Sequence, residues 1–261
     1  MLSKNQIKLI TSLQQKKYRD QHQLFVAEGN KLVSDLVEAK TEVEFLIYTK
    51  EWKECNSIYN KAKINKAKIN NRIETDATQI KKISSLKTPS TVVAVFKIPS
   101  QLINETVIQD SLSLVLDDVQ DPGNLGTIIR IADWFGIKHI FCSRNTVDLY
   151  NSKVIQATMG AISNVNIIYT DLEKLILKYK TPDFPVYGTF LEGEIIYNCQ
   201  LQKKGFIIMG NEGKGVSETI QKLVTNKLYI PDFPNGQATS ESLNVSVAAS
   251  IICSEFRRQE F

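Results

Sequence analysis

The chain has 261 residues, 43% of them hydrophobic and 23% charged, and a formal net charge of +4. That length suits one large domain or two ordinary ones, the composition is that of a soluble globular protein, and no apolar run approaches the roughly 18 to 20 residues that span a bilayer. The charge is uneven: Lys and Arg exceed Asp and Glu by eight over residues 1–100 and fall short of them by four over the rest. A nucleic-acid-contacting module beside a more neutral domain has this asymmetry, and a lysine-rich coding bias accounts for it as well.

The first twenty residues, "MLSKNQIKLITSLQQKKYRD", lack an unbroken apolar core and a small-residue cleavage site, so they read as mature sequence of a cytoplasmic protein. Ile7, Leu9, Ile10 and Leu13 carry a helical stripe there. The runs "LFVAEG" and "VEFLIYT" read as strands on either side of the helical "NKLVSDLVEAK", a βαβ pattern. The tandem "KAKINKAKIN" (61–70) is too polar for core and reads as a solvated helical face leading to a strand. The β-branched "TVVAVFKIP" is a central or closing strand of a first α/β domain over residues 1–100. The polar "PSQLINETVIQDS" places a linker at 101–110.

A second α/β pattern fills residues 111–261. Its strands read "LSLVLDD", "HIFCS", "VNIIY", "VYGTF", "GFIIMGN" and "KLYIP", and helices such as "TIIRIADWFG", "DLEKLILKYK" and "SETIQKLV" separate them. Continuous apolar strands alternating with helices predict a parallel sheet covered on both faces, with ligands beyond the C-terminal strand ends. Cys55, Cys142, Cys199 and Cys253 form no CxxC pair, and His22 and His139 are the only histidines. The scatter argues against a metal site or disulfide framework and for buried free thiols.

Three loops follow strands. In "LDDVQDPGNLGTIIR" an acidic Pro-Gly turn leads to Asn124 as a helix N-cap, and Gly123 and Gly126 permit close backbone approach. Arg130 then stands among Ile128, Ile129, Ile131 and Ala132, where an arginine is either paired with an acid or used. In "FIIMGNEGKGVS" a phosphate-binding P-loop fails on spacing, because Ile208 and Gly215 occupy the places of its Gly and Ser/Thr. The dinucleotide pattern fails at Glu218, and Glu212 would repel a polyphosphate while accepting hydrogen bonds. In "LYIPDFPNGQATSESLNVSVAASIICSEFRRQ" Ser242 reads as the cap of a helix whose Ser246, Ala248, Ala249 and Ser250 suit close packing.

Together the three loops closely resemble the motifs of the SpoU (TrmH-like) family of RNA 2′-O-ribose methyltransferases, part of the SPOUT class. "PGNLGTIIR" looks like the first motif, "GNEGKGVS" the second, and "IP" followed by "SLNVSVAAS" the third, over about residues 110–258. "FVAEGNKLV" (25–33) is similar to the segment that opens the family's N-terminal RNA-substrate domain. The resemblance implies a deep trefoil knot, S-adenosylmethionine as cofactor, ribosomal or transfer RNA as substrate, no metal, and a homodimer whose second subunit completes the active site. By position, Asn124, Arg130, Glu212, Ser242 and Asn244 match active-site residues. Gly210, Ile230 and Leu243 match cofactor contacts, with Thr189 and Gly193 lining the same pocket. "DFPNGQATSE" (232–241), with Pro234, is longer than the family's usual connection, so the pocket rim is expected to differ.

Methyl transfer to a hydroxyl needs alignment and removal of one proton. The family pattern gives activation of the hydroxyl to Arg130, yet a free guanidinium has a pKa above about 12, which suits it better to anchoring a phosphate or a developing alkoxide. A nucleotide-hydrolysing protein is disfavoured by the loop spacing, and a catalytically silent RNA-binding protein on the same fold is the competing reading.

Overall fold

The computed structural model describes residues 1–55, 68–100, 105–233 and 241–261. Helix α1 (Lys4–Ser12) begins at a capping box, in which the Ser3 hydroxyl accepts from the Gln6 N–H and the Gln6 side chain accepts from the Ser3 N–H. There follow α2 (Lys16–His22), β1 (Leu24–Glu28), α3 (Asn30–Glu38), β2 (Val43–Thr49), α4 (Lys50–Cys55), β3 (Ile69–Thr75), α5 (Ala77–Ile83) and β4 (Val92–Lys97). The sheet order is β1-β4-β2-β3, with β4 antiparallel to both β1 and β2, and β3 parallel to β2. The predicted βαβ unit is therefore present with β4 inserted between its strands, which makes "TVVAVFKIP" central. A strand does begin at Ile69 after the "KAKIN" tandem, and the helical face expected over 61–67 lies outside the described residues.

Alternation along β4 sorts the core into two layers. Val93 and Val95 meet Ile10 and Leu13 of the α1 segment and Ile80 and Ile83 of α5. Val92, Ala94 and Phe96 meet Leu32, Val33, Leu36 and Val37 of α3 on the other face. Every residue from Val92 to Phe96 is completely buried, as a β-branched run between two helical layers requires.

The second half runs α6 (Glu105–Gln109), β5 (Leu112–Leu116), α7 (Pro122–Trp134), β6 (His139–Cys142), α8 (Ser152–Thr158), β7 (Asn166–Tyr169), α9 (Leu172–Tyr179), β8 (Val186–Phe190), β9 (Glu194–Ile195), β10 (Gly205–Met209), α10 (Glu218–Gln221), β11 (Asn226–Tyr229) and α11 (Val245–Arg258). Seven strands pair in the order β7-β6-β5-β10-β8-β11-β9, parallel at every junction. All six predicted strands form, and β9 is too short to show a period. Part of the segment expected to be a linker is helical: Ile108 of α6 is fully buried with Val115, Phe141 and Phe206. Cys142 and Cys253 are buried free thiols, while Cys199 is partly exposed.

The chain separates into two units, 1–100 with 148–163, and 101–147 with 164–261. The continuous segment 111–261 expected from the sequence is thus interrupted, because Asp148–Ser163 builds its contacts with the first unit. Arg19, only 3% exposed, holds it there. Its Nε and Nη2 donate to Asp148 Oδ2 at 3.1 and 2.5 Å, and its Nη1 donates to the Leu13 and Gln14 carbonyls at 2.8 Å each. The Tyr150 ring lies 4.8 Å from that of Phe25, and Ile155 of α8 joins the α3 layer. Replacing Arg19 leaves a half-buried carboxylate and two carbonyls unpaired. Urea unfolding should show Arg19→Ala destabilised by about 3 kcal/mol. Arg19→Lys should recover little of this, because one ammonium cannot reproduce the fork; a loss below about 1 kcal/mol would contradict the assignment.

Candidate active site

Helix α7 starts one turn earlier than Asn124. Asp121 is its N-cap, with Oδ1 accepting from the Asn124 N–H at 2.9 Å, and Pro122 sits at the first helical position, where no N–H is needed. Leu125, Ile128, Ile129 and Ala132 form the buried stripe at i, i+3, i+4 and i+7. At about 100° per residue, Arg130 turns away from that stripe and is exposed, as is Trp134 one turn on, at 84%. The sequence places Arg130 inside an apolar run; in the fold it is a surface residue with no ion pair among the described residues. It also lies six residues, about 9 Å of helix rise, beyond Asn124.

The cap that Asn124 gives up leaves its side chain for another use. Asn124 is 9% exposed, and its Nδ2 donates to Glu212 Oε1 at 2.9 Å while its Oδ1 accepts from Asn244 Nδ2 at 2.9 Å. Asn244, not Ser242, caps α11: its Oδ1 accepts from the Ser246 N–H at 2.9 Å and the Ser246 hydroxyl at 2.6 Å. The helix-cap role of Asn244 fixes its amide orientation, which fixes that of Asn124, which in turn aims an N–H at Glu212. At its other end the same helix pair is joined by Arg257, whose Nε donates to the Phe135 carbonyl at 2.7 Å, so α7 and α11 run side by side in the same direction.

Glu212 also accepts from the backbone N–H groups of Gln120 and Asp121, at 3.4 and 3.3 Å. Burial works to raise its pKa, but the Asn124 amide and the backbone N–H groups of Glu212, Gln120 and Asp121 outweigh it and hold the carboxyl below its ordinary value. The carboxylate therefore stays charged and occupied, as a clamp on the loop before α7.

Asn211 shapes the turn that carries Glu212. Its backbone exchanges two 2.9 Å hydrogen bonds with Gly215, and its Oδ1 accepts from the Gly213 and Lys214 N–H groups at 3.0 and 2.9 Å. Its Nδ2 donates to the Asp118 carbonyl at 2.8 Å, and Asp118 itself adopts a left-handed φ of 62°. Asp117 Oδ2 accepts from the Ser217 N–H at 2.8 Å, closing the second tie between the two loops. A Cβ on Gly210 would come within 2.3 Å of the Gly215 carbonyl carbon and the Val216 nitrogen, so only glycine fits there. Sequence reasoning misses Asn211, Asp117, Asp118 and Asp121; the Asn-x-Gly turn and the Asp-Pro helix start are local signals for the first and last.

The expected cofactor positions stand at neighbouring strand ends, since β10, β8 and β11 are adjacent in the sheet. At the end of β8 the Thr189 hydroxyl donates to the Ile208 carbonyl at 3.0 Å, and Gly193 follows, where an added Cβ would come within 2.7 Å of the Lys227 carbonyl oxygen. Ile230, after β11, is half-buried, and Leu243 is 47% exposed next to Asn244. Ser242 is exposed and lies outside the amide relay. Residues 234–240, including Pro234, fall outside the described residues. A separate cavity of about 310 Å³ at the ends of β5, β6 and β7, lined by Asp117, Ser143, Arg144, Asp171 and Ser217 among others, contains none of the expected site residues.

The chain is similar to known proteins. Residues 111–254 match the SpoU rRNA Methylase family, and residues 4–94 match the MRM3-like substrate binding domain. A 23S rRNA (guanosine(2553)-2′-O)-methyltransferase of Bacillus subtilis, RlmP, is 34% identical over 176 residues, 67% of this chain and 68% of that protein. The structure of a putative RNA methyltransferase of the TrmH family from Porphyromonas gingivalis, 35% identical, superposes with a TM-score of 0.86 over 99% of both chains. That of an AdoMet-bound rRNA methyltransferase from Sinorhizobium meliloti, 27% identical, gives 0.82 over 100% of this chain and 97% of that one. With its three loops bound together by the Asn244–Asn124–Glu212 relay and more than half its length matched, the chain belongs to the SpoU rRNA methylase family.

Proposed function

We propose that the protein transfers a methyl group from S-adenosylmethionine to a ribose 2′-hydroxyl of ribosomal or transfer RNA. The observation that carries this reading is the amide relay, which brings Asn124, Glu212 and Asn244 from three distant loops into one hydrogen-bonded set. The strand ends fit a nucleoside cofactor, because Ile230 and Leu243 offer apolar surface there. When bound, the cofactor supplies an electrophilic methyl group. The C–S bond would break to leave S-adenosylhomocysteine, and the 2′-hydroxyl proton would pass to solvent; the remaining work is alignment and charge, and the chain's own residues divide it. Glu212, engaged by three neighbouring donors, holds the loop and takes no proton. Arg130, exposed and without an ion pair among the described residues, binds a phosphate of the target or steadies the alkoxide as it forms.

The same reading includes a homodimer and a trefoil knot. The dimer is supported by α7 and α11, which expose Trp134, Val247 and, just before α11, Leu243 at 84, 48 and 47%. A tryptophan left that open on a helix face is suited to burial against a second copy. The knot is supported by the order β5-β10-β8-β11, in which the strands bearing the second and third motifs flank β8.

Three outcomes test these roles. In a tritiated-methyl assay on total RNA, Arg130→Ala should lose at least 100-fold in rate, on the order of 3 kcal/mol of transition-state stabilisation, with S-adenosylmethionine affinity unchanged; a normal rate removes Arg130 from the site. Sedimentation velocity should show a dimer that Trp134→Glu converts to monomer, and a monomeric wild type would end the dimer reading. Because the pKa of Glu212 is depressed in the fold, its contribution to stability is present above about pH 4.3 and is lost as pH falls through the folded value. Glu212→Gln should therefore be less stable than wild type at pH 7, with the gap closing in acid; a gap independent of pH would refute the clamp.

A further inference from the structure

The first unit is divided by charge between its two helical layers. Residues 1–19 and 77–104 contain no Asp or Glu, and these stretches supply α1, α5 and the loop into β4. Lys4 and Lys8 of α1, Lys81 and Lys82 of α5, and Lys87 of the following loop are all exposed, and none has an ion pair among the described residues. α1 and α5 pack on the same face of the sheet through Ile10, Leu13, Ile80 and Ile83, so these lysines belong to one layer. Acids beside it are engaged: Asp20 pairs with Lys16, Asp148 with Arg19, and Asp76 caps α5.

The rest of the unit is built differently. Residues 30–54 carry Asp35, Glu38, Glu42, Glu44, Glu51 and Glu54 against Lys31, Lys40, Lys50 and Lys53. Lys31 pairs with Asp35, Lys50 with Glu54, Lys53 with Glu74, and both Lys68 and Lys97 with Glu42. Residues 30–54 thus carry two more acids than lysines, with three of their four lysines paired, whereas the five lysines of the α1–α5 layer have no ion pair among the described residues.

The basic loop is also anchored from below. Glu28, at the end of β1, is 4% exposed, and its carboxylate accepts from the Ser84 hydroxyl at 2.5 Å, the Ser85 N–H at 2.7 Å and the Ser85 hydroxyl at 2.6 Å. The Ser90 hydroxyl donates to the Val92 carbonyl at 2.5 Å at the other end of the loop. Lys87 is thus carried on a fixed turn, which lowers the ordering cost of holding a phosphate.

We infer that the outer surface of α1 and α5, with the 84–90 loop, is where the first unit docks the RNA substrate through its phosphates. The inference rests on the RNA-methyltransferase reading for the identity of the polyanion, and the charge division locates its surface. Phosphate contacts position a nucleic acid without reading its bases, so this surface supplies affinity, and selection of the nucleotide falls to other residues.

The test uses the full chain and compares two sets of substitutions. One changes Lys4, Lys8, Lys81, Lys82 and Lys87 to Gln; the control changes Lys31, Lys40, Lys50 and Lys53 to Gln. Affinity for a ribosomal RNA fragment is measured across a salt series. Removing one lysine–phosphate interaction with a single strand should reduce the slope of log K against log salt by about 0.7, so the first set should flatten it by about 2 to 3.5 and the control by less than about 1. In methyl transfer the first set should raise the KM for RNA at least tenfold and leave S-adenosylmethionine affinity unchanged. An unaltered slope, or an equal change in the control, overturns the docking surface. Wild-type binding to phosphatidylserine vesicles that the first set abolishes, with RNA affinity intact, would assign the layer to a membrane and overturn it too. A wild type that binds RNA and methylates none, while the first set still flattens the salt slope as expected, would instead sink the methyltransferase reading and leave the surface standing.

Discussion

The arrangement of the candidate site depends on one side chain, the Asn124 carboxamide. A carboxamide has one end that donates and one that accepts, and here each end is committed to a different loop. Its amide nitrogen serves Glu212 and its oxygen serves Asn244, so a flip of the amide would set oxygen against carboxylate and NH2 against NH2, losing both bonds. Neither aspartate nor leucine, both close in size, can do this. The direction of the relay is set at the far end by a helix cap, where Asn244 must offer oxygen to the first turn of α11. Helix capping, usually a matter of local stability, here fixes which way a polar atom points two loops away.

Around that relay the loops are tied by backbone geometry. The turn after β10 is closed by Asn211 and Gly215, and its tightness is what requires Gly210. The left-handed Asp118 turns its carbonyl toward Asn211, at the cost of a conformation that side chains disfavour. Strain of that kind persists where surrounding bonds over-determine it, and Asp118 has them on both sides, with its N–H held by the Ser143 hydroxyl at 2.9 Å.

Much of the scaffold is legible in the sequence. The six apolar runs become strands because a parallel sheet buried on both faces tolerates almost nothing else. The two helix caps differ from expectation by two or three residues, since "DPGN" and "SLN" each offer more than one good cap and only the three-dimensional position of the first turn chooses between them. Arg130 looks enclosed in the sequence because four apolar neighbours resemble a buried run, whereas the stripe that is buried skips it. Family resemblance names the members of the relay, but no local pattern pairs them, because Asn124 and Asn244 are 120 residues apart. The allegiance of α8 is hidden for the same reason: nothing local in "NSKVIQAT" says which core Ile155 will enter.

That allegiance has a consequence for how the protein is made. The first unit is not complete when residue 100 has been synthesised, because its Arg19 lacks Asp148 and its α3 layer lacks Ile155 until the chain has grown past residue 163. At about 5 to 20 residues per second, that leaves a nascent intermediate on the ribosome for about 3 to 13 s in which the Arg19 guanidinium and the α3 cluster lack those partners. By then β5, α7 and β6 of the second unit have also been translated, so the two halves ripen together, and the N-terminal half cannot be a finished module that its neighbour merely inherits.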